Sequence, residues 1–454
     1  MGALPDGLPA PISGEIPAQH LTASDKTFHA YLHIPFCSER CGYCDFNTYT
    51  NSELRGFSRS EYSNSLLAEI DLAYQILGES DAVKPFETVF FGGGTPTLLP
   101  ADQLISMLAD LRKTFGVASS AEITVEANPD TASAEYFAAL AEAGFTRVSI
   151  GMQSAVKSVL ATLERTHQPE NVSLAVKFAK AAGLETSVDL IYGAPGETLE
   201  QWNESLEAAV SLEVGHISAY ALIVEEGTKL ARQIRRGELV EPDADLQADK
   251  YELLDAKLAA AGFSWYELSN WATGDATKSR HNMAYWQSAN WWGFGPGAHS
   301  HLNGLRWWNV KHPAAYAKRL DKNQSPALAR ESLSERDQQV EAILLKTRLA
   351  AGVSIPEIAK LHPEPQKVIS QLIADGLIDA AAAISGRVVL TLRGRLLADD
   401  DDFIVPSVHA GLSGADVLAM RDVNIPIGGF IRAMEGPRTE LVPAIWAGST
   451  SRSR

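Results

Sequence analysis

Cysteine is nearly missing from this chain: three residues in 454. A disulfide framework needs paired partners, so a number this small and odd excludes one. Basic residues are also short, 39 Lys and Arg against 56 Asp and Glu, for a net charge of −17. So negative a chain repels polyanions, which counts against binding nucleic acid. No apolar run approaches the roughly 20 residues of a membrane span, and no integral membrane segment is expected. The start, Met1-Gly-Ala-Leu-Pro-Asp6, lacks the basic and apolar regions of a secretory signal, and Asp6 stands where a myristoylation signal wants Ser or Thr. These absences predict a cytoplasmic protein in a reducing compartment, where thiolates persist. With 45% hydrophobic and 21% charged residues, the composition is that of a soluble globular chain, long enough for two or three domains.

What cysteine there is lies together, in Tyr31-Leu-His-Ile-Pro-Phe-Cys37-Ser-Glu-Arg-Cys41-Gly-Tyr-Cys44-Asp-Phe-Asn47. Three thiols in eight residues are too clustered for scattered core cysteines. Structural zinc wants four ligands, which this loop leaves incomplete. A cubane iron–sulfur cluster fits better, because thiolates are its usual ligands and three of them leave one iron open.

Cys37-x3-Cys41-x2-Cys44 resembles the signature of the radical S-adenosylmethionine (SAM) superfamily. There the amino and carboxylate groups of SAM chelate the fourth iron of a 4Fe-4S cluster. His33-Ile-Pro-Phe-Cys37 and Cys44-Asp-Phe-Asn47 are similar to the subgroup that holds oxygen-independent coproporphyrinogen dehydrogenase and the HemW-type haem chaperones. The resemblance implies a partial, open (β/α)6 TIM-type barrel, a cluster on Cys37, Cys41 and Cys44, and SAM beside it. It also implies that one electron delivered to the cluster can cleave the sulfonium bond of SAM, which would require an electron donor as partner.

Taken in order, residues 1–26 carry Pro5, Pro9, Pro11 and Pro17 with little apolar periodicity, and are expected to be a mobile extension. From 27 to 225, strand-like and helix-like stretches alternate, the pattern of a parallel α/β fold. Phe28–Ile34 is the first expected strand and Ser60–Leu77 the first helix, with Leu66, Ile70, Ala73 and Leu77 on one face. Thr88-Val-Phe-Phe-Gly92-Gly-Gly94-Thr95 reads as a strand ending in a glycine turn, either a tight turn or a cradle where backbone approaches a ligand. Further strands end in Glu126, in Gln153 and around Asp189, and Arg165 with His167 is expected on a helix at 163–167. Gly215–Leu222, with Ala221, is the sixth strand, which stops short of a closed barrel. Each of these polar residues could be an ordinary strand end, but barrel-type folds put their sites there. In the resembled family Gly93, Gly94, Thr95, Glu126, Gln153, Arg165 and Asp189 match SAM-holding positions, and Tyr31, Tyr43 and Ala221 match the remaining contacts.

Seven of nine tryptophans fall between Trp265 and Trp308, either a dense core or an aromatic surface for a flat ligand, in an extension (226–330) expected to pack on the core. Within it, His281-Asn-Met-Ala-Tyr285-Trp286 resembles a motif of the HemW branch. A histidine among aromatics is either a structural residue or a haem contact. The resemblance makes His281 the first candidate for haem, with His299 and His301 behind it. Residues 331–400 read as helices at 334–350, 355–361 and 366–375 followed by a β-ribbon whose clearer strand is 387–392. That is a winged-helix-like domain, yet its third helix carries only Lys367 as a base, so it is read as packing or protein docking. The acidic run at 399–402 and the tail (401–454) carry no functional reading and are expected to be a solvated extension.

One position separates the two branches. Dehydrogenases of the group resemble Cys-x3-Cys-x2-Cys-x-Cys, and Phe46 stands in the place of the fourth cysteine. The expectation is therefore a haem chaperone with a 4Fe-4S cluster, SAM and haem, delivering haem to respiratory proteins, with any membrane association peripheral and through its acceptor. The alternative is anaerobic oxidative decarboxylation of coproporphyrinogen III.

Overall fold

The structure, a computed structural model, describes residues 7–398 except 55–56, 79 and 363. Its frame is one open sheet. In chain order the strands are β1 (Leu8–Pro9), β2 (Phe28–Ile34), β3 (Phe86–Gly93), β4 (Val117–Ala127), β5 (Arg147–Gln153), β6 (Glu185–Tyr192) and β7 (His216–Ala221). They continue with β8 (Ser264–Glu267), β9 (Asn270–Ala272), β10 (Asn290–Phe294), β11 (His299–Leu302), β12 (Leu305–Asn309) and β13 (Ala327–Ser332). Strands β2 to β7 lie side by side in sequence order and are all parallel, the expected six-stranded run. Neither end closes on the other: β7 is followed by antiparallel β9 and β8, while β10 adds parallel to β2 and leads into an antiparallel meander.

Alternation along the parallel strands explains why they form here. Ala30 and Leu32, Val89 and Phe91, Ile123 and Val125, Val148 and Ile150 all point to one face and join the main apolar cluster. Helices at Tyr62–Leu77, Ala101–Thr114, Ala134–Glu142, Pro169–Ala181 and Leu199–Ser211 cover that face. Their ends are set locally: Gly78, with φ at 56°, stops the first, and the Thr198–Gln201 capping box starts the last. The opposite face of the strands is mostly polar, unlike the branched apolar filling of a closed barrel.

Several expectations are corrected. Residues 7–26 are not a loose extension: β1 pairs antiparallel with β13, Ala10 N–H bonds Leu328 C=O at 3.1 Å, and His20 Nδ1 bonds Asn303 C=O at 2.9 Å. The tryptophan-bearing strands β8, β9, β10 and β12 do not merely pack on the core sheet but extend it. The helix expected at 163–167 ends at Thr162 instead. Glu164, at φ 55°, closes it with paired bonds from Glu164 N–H to Ala161 C=O and Arg165 N–H to Leu160 C=O.

At the carboxyl end, helices at Glu335–Thr347, Ile355–Ala359 and Pro365–Ala374 match the expected order. The ribbon is shorter than expected: β14 (Val353–Ser354) pairs with β15 (Arg387–Val388), and a helix already begins at Leu392. These elements share a small core of Ile343, Val353, Ile369, Ile378, Val388 and Leu390. The acidic run and tail from 399 onward lie outside the described residues.

Candidate functional site

The polar faces of β3 to β7 wall a cavity that opens at the cysteine loop. Inward positions on three neighbouring strands show the pattern: Arg147, Ser149, Gly151 and Gln153; Ser187 and Asp189; His216, Ser218 and Tyr220. Several inward polar atoms are buried without a protein partner: Thr124 Oγ1, Arg147 Nη2, Arg165 Nε, His216 Nδ1 and Asn282 Oδ1. Buried polar groups are normally satisfied, so these walls suit a polar ligand.

Cys37, Cys41 and Cys44 are free thiols and all line the mouth. The loop is fixed from both sides. His33 Nε2 donates to Asn47 C=O at 2.9 Å, and Asn47 Nδ2 donates to the carbonyls of Pro296 and Lys311 at 2.8 and 2.9 Å. Burial, then the neighbouring Cys41 and Cys37, push the Cys44 thiol up to about 12, and burial raises Cys37 as well. Such thiols hold their protons until a metal displaces them. Arg165 Nη1 sits 3.7 Å from Cys41 Sγ, a fixed positive charge beside a thiolate set. Among the described residues no three His, Cys, Asp or Glu side chains could hold a single ion. Three cysteines lining one mouth supply the thiolates that a 4Fe-4S cluster takes, with one iron left open.

The structure brings most of the expected SAM residues onto this cavity: Tyr43, Gly93, Gly94, Thr95, Glu126, Gln153, Arg165, Asp189 and Ala221. The glycine turn requires its composition. Gly93 has φ at 115°, and a Cβ on Gly94 would lie 2.5 Å from the Phe36 carbonyl oxygen. Its N–H groups are engaged, Gly93 to Glu126 Oε2 at 3.0 Å, Gly94 to Ile34 C=O and Thr95 to Phe36 C=O. Burial, then Asp189, push Glu126 up to about 8. Asp189 is also raised by burial, although the Ser149 and Ser218 hydroxyls and Arg147 pull it back. Two carboxylates competing in one cavity favour a cationic guest. Gln153 holds a left-handed backbone at φ 60°, a conformation concentrated at functional sites. Tyr31 is the exception: it is not on the wall, stacks under Phe90 and bonds His33 Nδ1 at 2.9 Å, so it steadies the histidine that holds the loop.

His281 faces the same cavity, stacked on Phe90 at 5.0 Å. Both ring nitrogens are engaged, Nδ1 with Thr88 Oγ1 at 2.6 Å and Nε2 with Tyr285 OH at 3.0 Å, and burial keeps the imidazole neutral. His299 and His301 are not on the wall; His301 bonds Ala289 C=O and the Gly304 N–H, and His299 stacks on Trp308. The tryptophans from Trp265 to Trp308 pack into or against the core, as where Trp292 meets Trp307 edge to face at 4.8 Å, and among the described residues no tryptophan lines the cavity. Phe46 is 42% exposed at the cavity mouth. Thr124, Arg147, His216, Asn282 and Tyr285 were not singled out in the sequence as binding residues. The signal was there on β4, β5 and β7, as polar residues two apart.

A thiol loop issuing from the first strand of an open parallel run, over a cavity with opposed carboxylates, defines a radical SAM protein. The family model for the radical SAM superfamily matches residues 31–209. Along more of its length the chain is 47% identical, over 375 residues, to the heme chaperone HemW of Mycobacterium tuberculosis, covering 82% of this chain and 93% of that one. It is 34% identical to the heme chaperone HemW of Bacillus subtilis, covering 82% of this chain and 97% of that one. The chain belongs to the HemW family. Among solved structures, coproporphyrinogen III oxidase (HemN) of Escherichia coli, a radical SAM enzyme, has the same fold, with a TM-score of 0.72 at 22% identity over 84% of this chain and 90% of that one. No helix among the described residues is long and apolar enough to cross a membrane.

Proposed function

We propose that this chain is a haem carrier: it holds haem in the cavity beside its cluster and SAM site and passes it to haem-requiring respiratory proteins. The observation that carries this reading is the placement of His281 and Tyr285 on the same cavity as the three cysteines. Relatives of the same family are named heme chaperones. Haem meets the wall at His281, whose Nε2 exchanges its bond to Tyr285 for the ligand. Phe46, exposed at the mouth, offers an apolar face to a macrocycle where a dehydrogenase has its fourth cysteine.

Cys37, Cys41 and Cys44 hold the cluster; the carboxylates of Glu126 and Asp189 and the backbone of Gly93 to Thr95 take the cationic and ribose parts of SAM. A 4Fe-4S cluster held there would supply one-electron reduction of the SAM sulfonium group, the electron coming from a partner. Gln153 and Arg165 on the cavity wall orient SAM.

Titration with haemin should give a Soret band that is altered in His281→Ala, and loaded protein should transfer haem to an apo haem enzyme in assays with and without SAM. An unchanged spectrum would move the haem contact elsewhere. Conversion of coproporphyrinogen III to protoporphyrinogen by the wild type with SAM and reductant would support the dehydrogenase reading instead.

A further inference from the structure

Below the SAM-facing residues, the cavity ends at the amino side of β5. Arg147, only 4% exposed, donates through Nη1 to Thr277 C=O at 2.9 Å, and its Nη2 has no partner. Among the described residues it makes no ion pair with any carboxylate. A buried guanidinium that touches no carboxylate, with Asp189 acting on it only across the cavity, is costly to desolvate and has hydrogen-bonding capacity to spare. Thr124 stands directly opposite Arg147 in the β4–β5 register, wholly buried, with Oγ1 unpartnered. His216, 3% exposed, shares Nε2 with Tyr266 OH at 2.8 Å and leaves Nδ1 unpartnered. Burial, then the charge of Arg147, keep His216 neutral; the Tyr266 oxygen already accepts from Ser279 N–H and Asn282 Nδ2, which leaves its own hydrogen for His216 Nε2 and puts the ring hydrogen on Nδ1.

Guanidinium, hydroxyl and imidazole thus present three donors to one end of the cavity. We infer that this end is an anion subsite which takes a carboxylate, and that the occupant is a propionate arm of haem. The inference rests on the haem reading above for its occupant, and on the orphaned donors alone for its charge preference. The neighbourhood fits: Phe90, opposite Thr124 across β3 and β4, is the ring that stacks on His281. His281, stacked on Phe90 of β3, thus stands two strands from Arg147 on β5, at the same level of the sheet.

The test compares haemin with its dimethyl ester, which keeps the ring and loses both carboxylate charges. A charge-assisted hydrogen bond lost to esterification corresponds to a wild-type preference for haemin of about 10- to 100-fold. Arg147→Met should remove most of that preference while leaving ester affinity unchanged, and Arg147→Lys should keep part of it. The same preference in wild type and Arg147→Met overturns the inference. Without ligand, Arg147→Met should melt no lower than wild type, because it removes a buried charge that makes no salt bridge; a lower melting temperature would assign Arg147 to folding and overturn the inference. If wild type binds neither compound, the haem reading fails, and acetate decides the subsite. Thermal stabilisation of wild type but not of Arg147→Met by acetate keeps it; no stabilisation of either removes it.

Discussion

Glu69 is the side chain through which pH should act most directly on stability. It is fully inside the protein, bonded by Tyr316 OH, the Gly295 N–H and Asn309 Nδ2, yet burial outweighs these donors and pushes its carboxyl up to about 7. An unfolded Glu titrates near 4.3, so between roughly pH 4.3 and 7 the folded chain keeps a proton the unfolded chain has released. The contribution is complete below that window and is lost as pH rises through it, on the order of 3 kcal/mol. Urea denaturation across the window should show this decline, and Glu69→Gln should flatten it; an equally steep decline in the mutant rejects the assignment. At the cluster, Cys41→Ala should lose most bound iron and sulfide after anaerobic reconstitution, and full retention would contradict the three-thiol assignment. Glu126 and Gln153 were legible because a polar group at the end of an apolar strand stands out, and Asp189 because it interrupts one. Arg147 and His216 were not, because each begins its strand, where charge usually marks a boundary, and only the curved sheet turns both inward.

Among the elements, the loop after β6 depends on a helix far along the chain. Lys250, on the helix Ala244–Ala260, pairs with Glu197 at 2.9 Å, both nearly inaccessible, and Glu197 in turn accepts the Gly193 N–H at 2.7 Å. Lys250→Met leaves an isolated buried carboxylate and should cost about 3–5 kcal/mol. Replacing both residues, as Lys250→Met with Glu197→Gln, should restore most of that. A double mutant as unstable as the single one, by denaturation midpoint, would show that the charges are not what holds the loop. Helices were legible in the sequence through their periodicity and caps. The stop after Thr162 was not, because a glutamate rather than a glycine takes the left-handed position, held by Lys229 at 2.5 Å and by the two backbone bonds that follow. The ribbon was overread because Val388-Val-Leu390 has strand composition, while a named strand pairing reaches only Arg387 and Val388.

For the molecule as a whole, the six-strand core could be read from local alternation, but the sheet's true width could not. Pairings such as Leu8 with Arg330 join residues with no shared local signal. Removing residues 1–26 should therefore bare the β13 edge and the Trp308 ring under Gly7. The expected result is concentration-dependent association in size-exclusion chromatography with light scattering; a well-behaved monomer indistinguishable from the full chain would contradict it. The tie made by Asn47 reaches furthest. Standing three residues past Cys44, it grips carbonyls 249 and 264 positions downstream, at Pro296 and Lys311. Iron loading is thereby wired to a distant stretch of backbone, and starvation for the metal should be legible to a protease. Limited trypsin digestion should cut after Lys311 faster in iron-free than in iron-loaded protein, with equal rates showing that the two regions move independently.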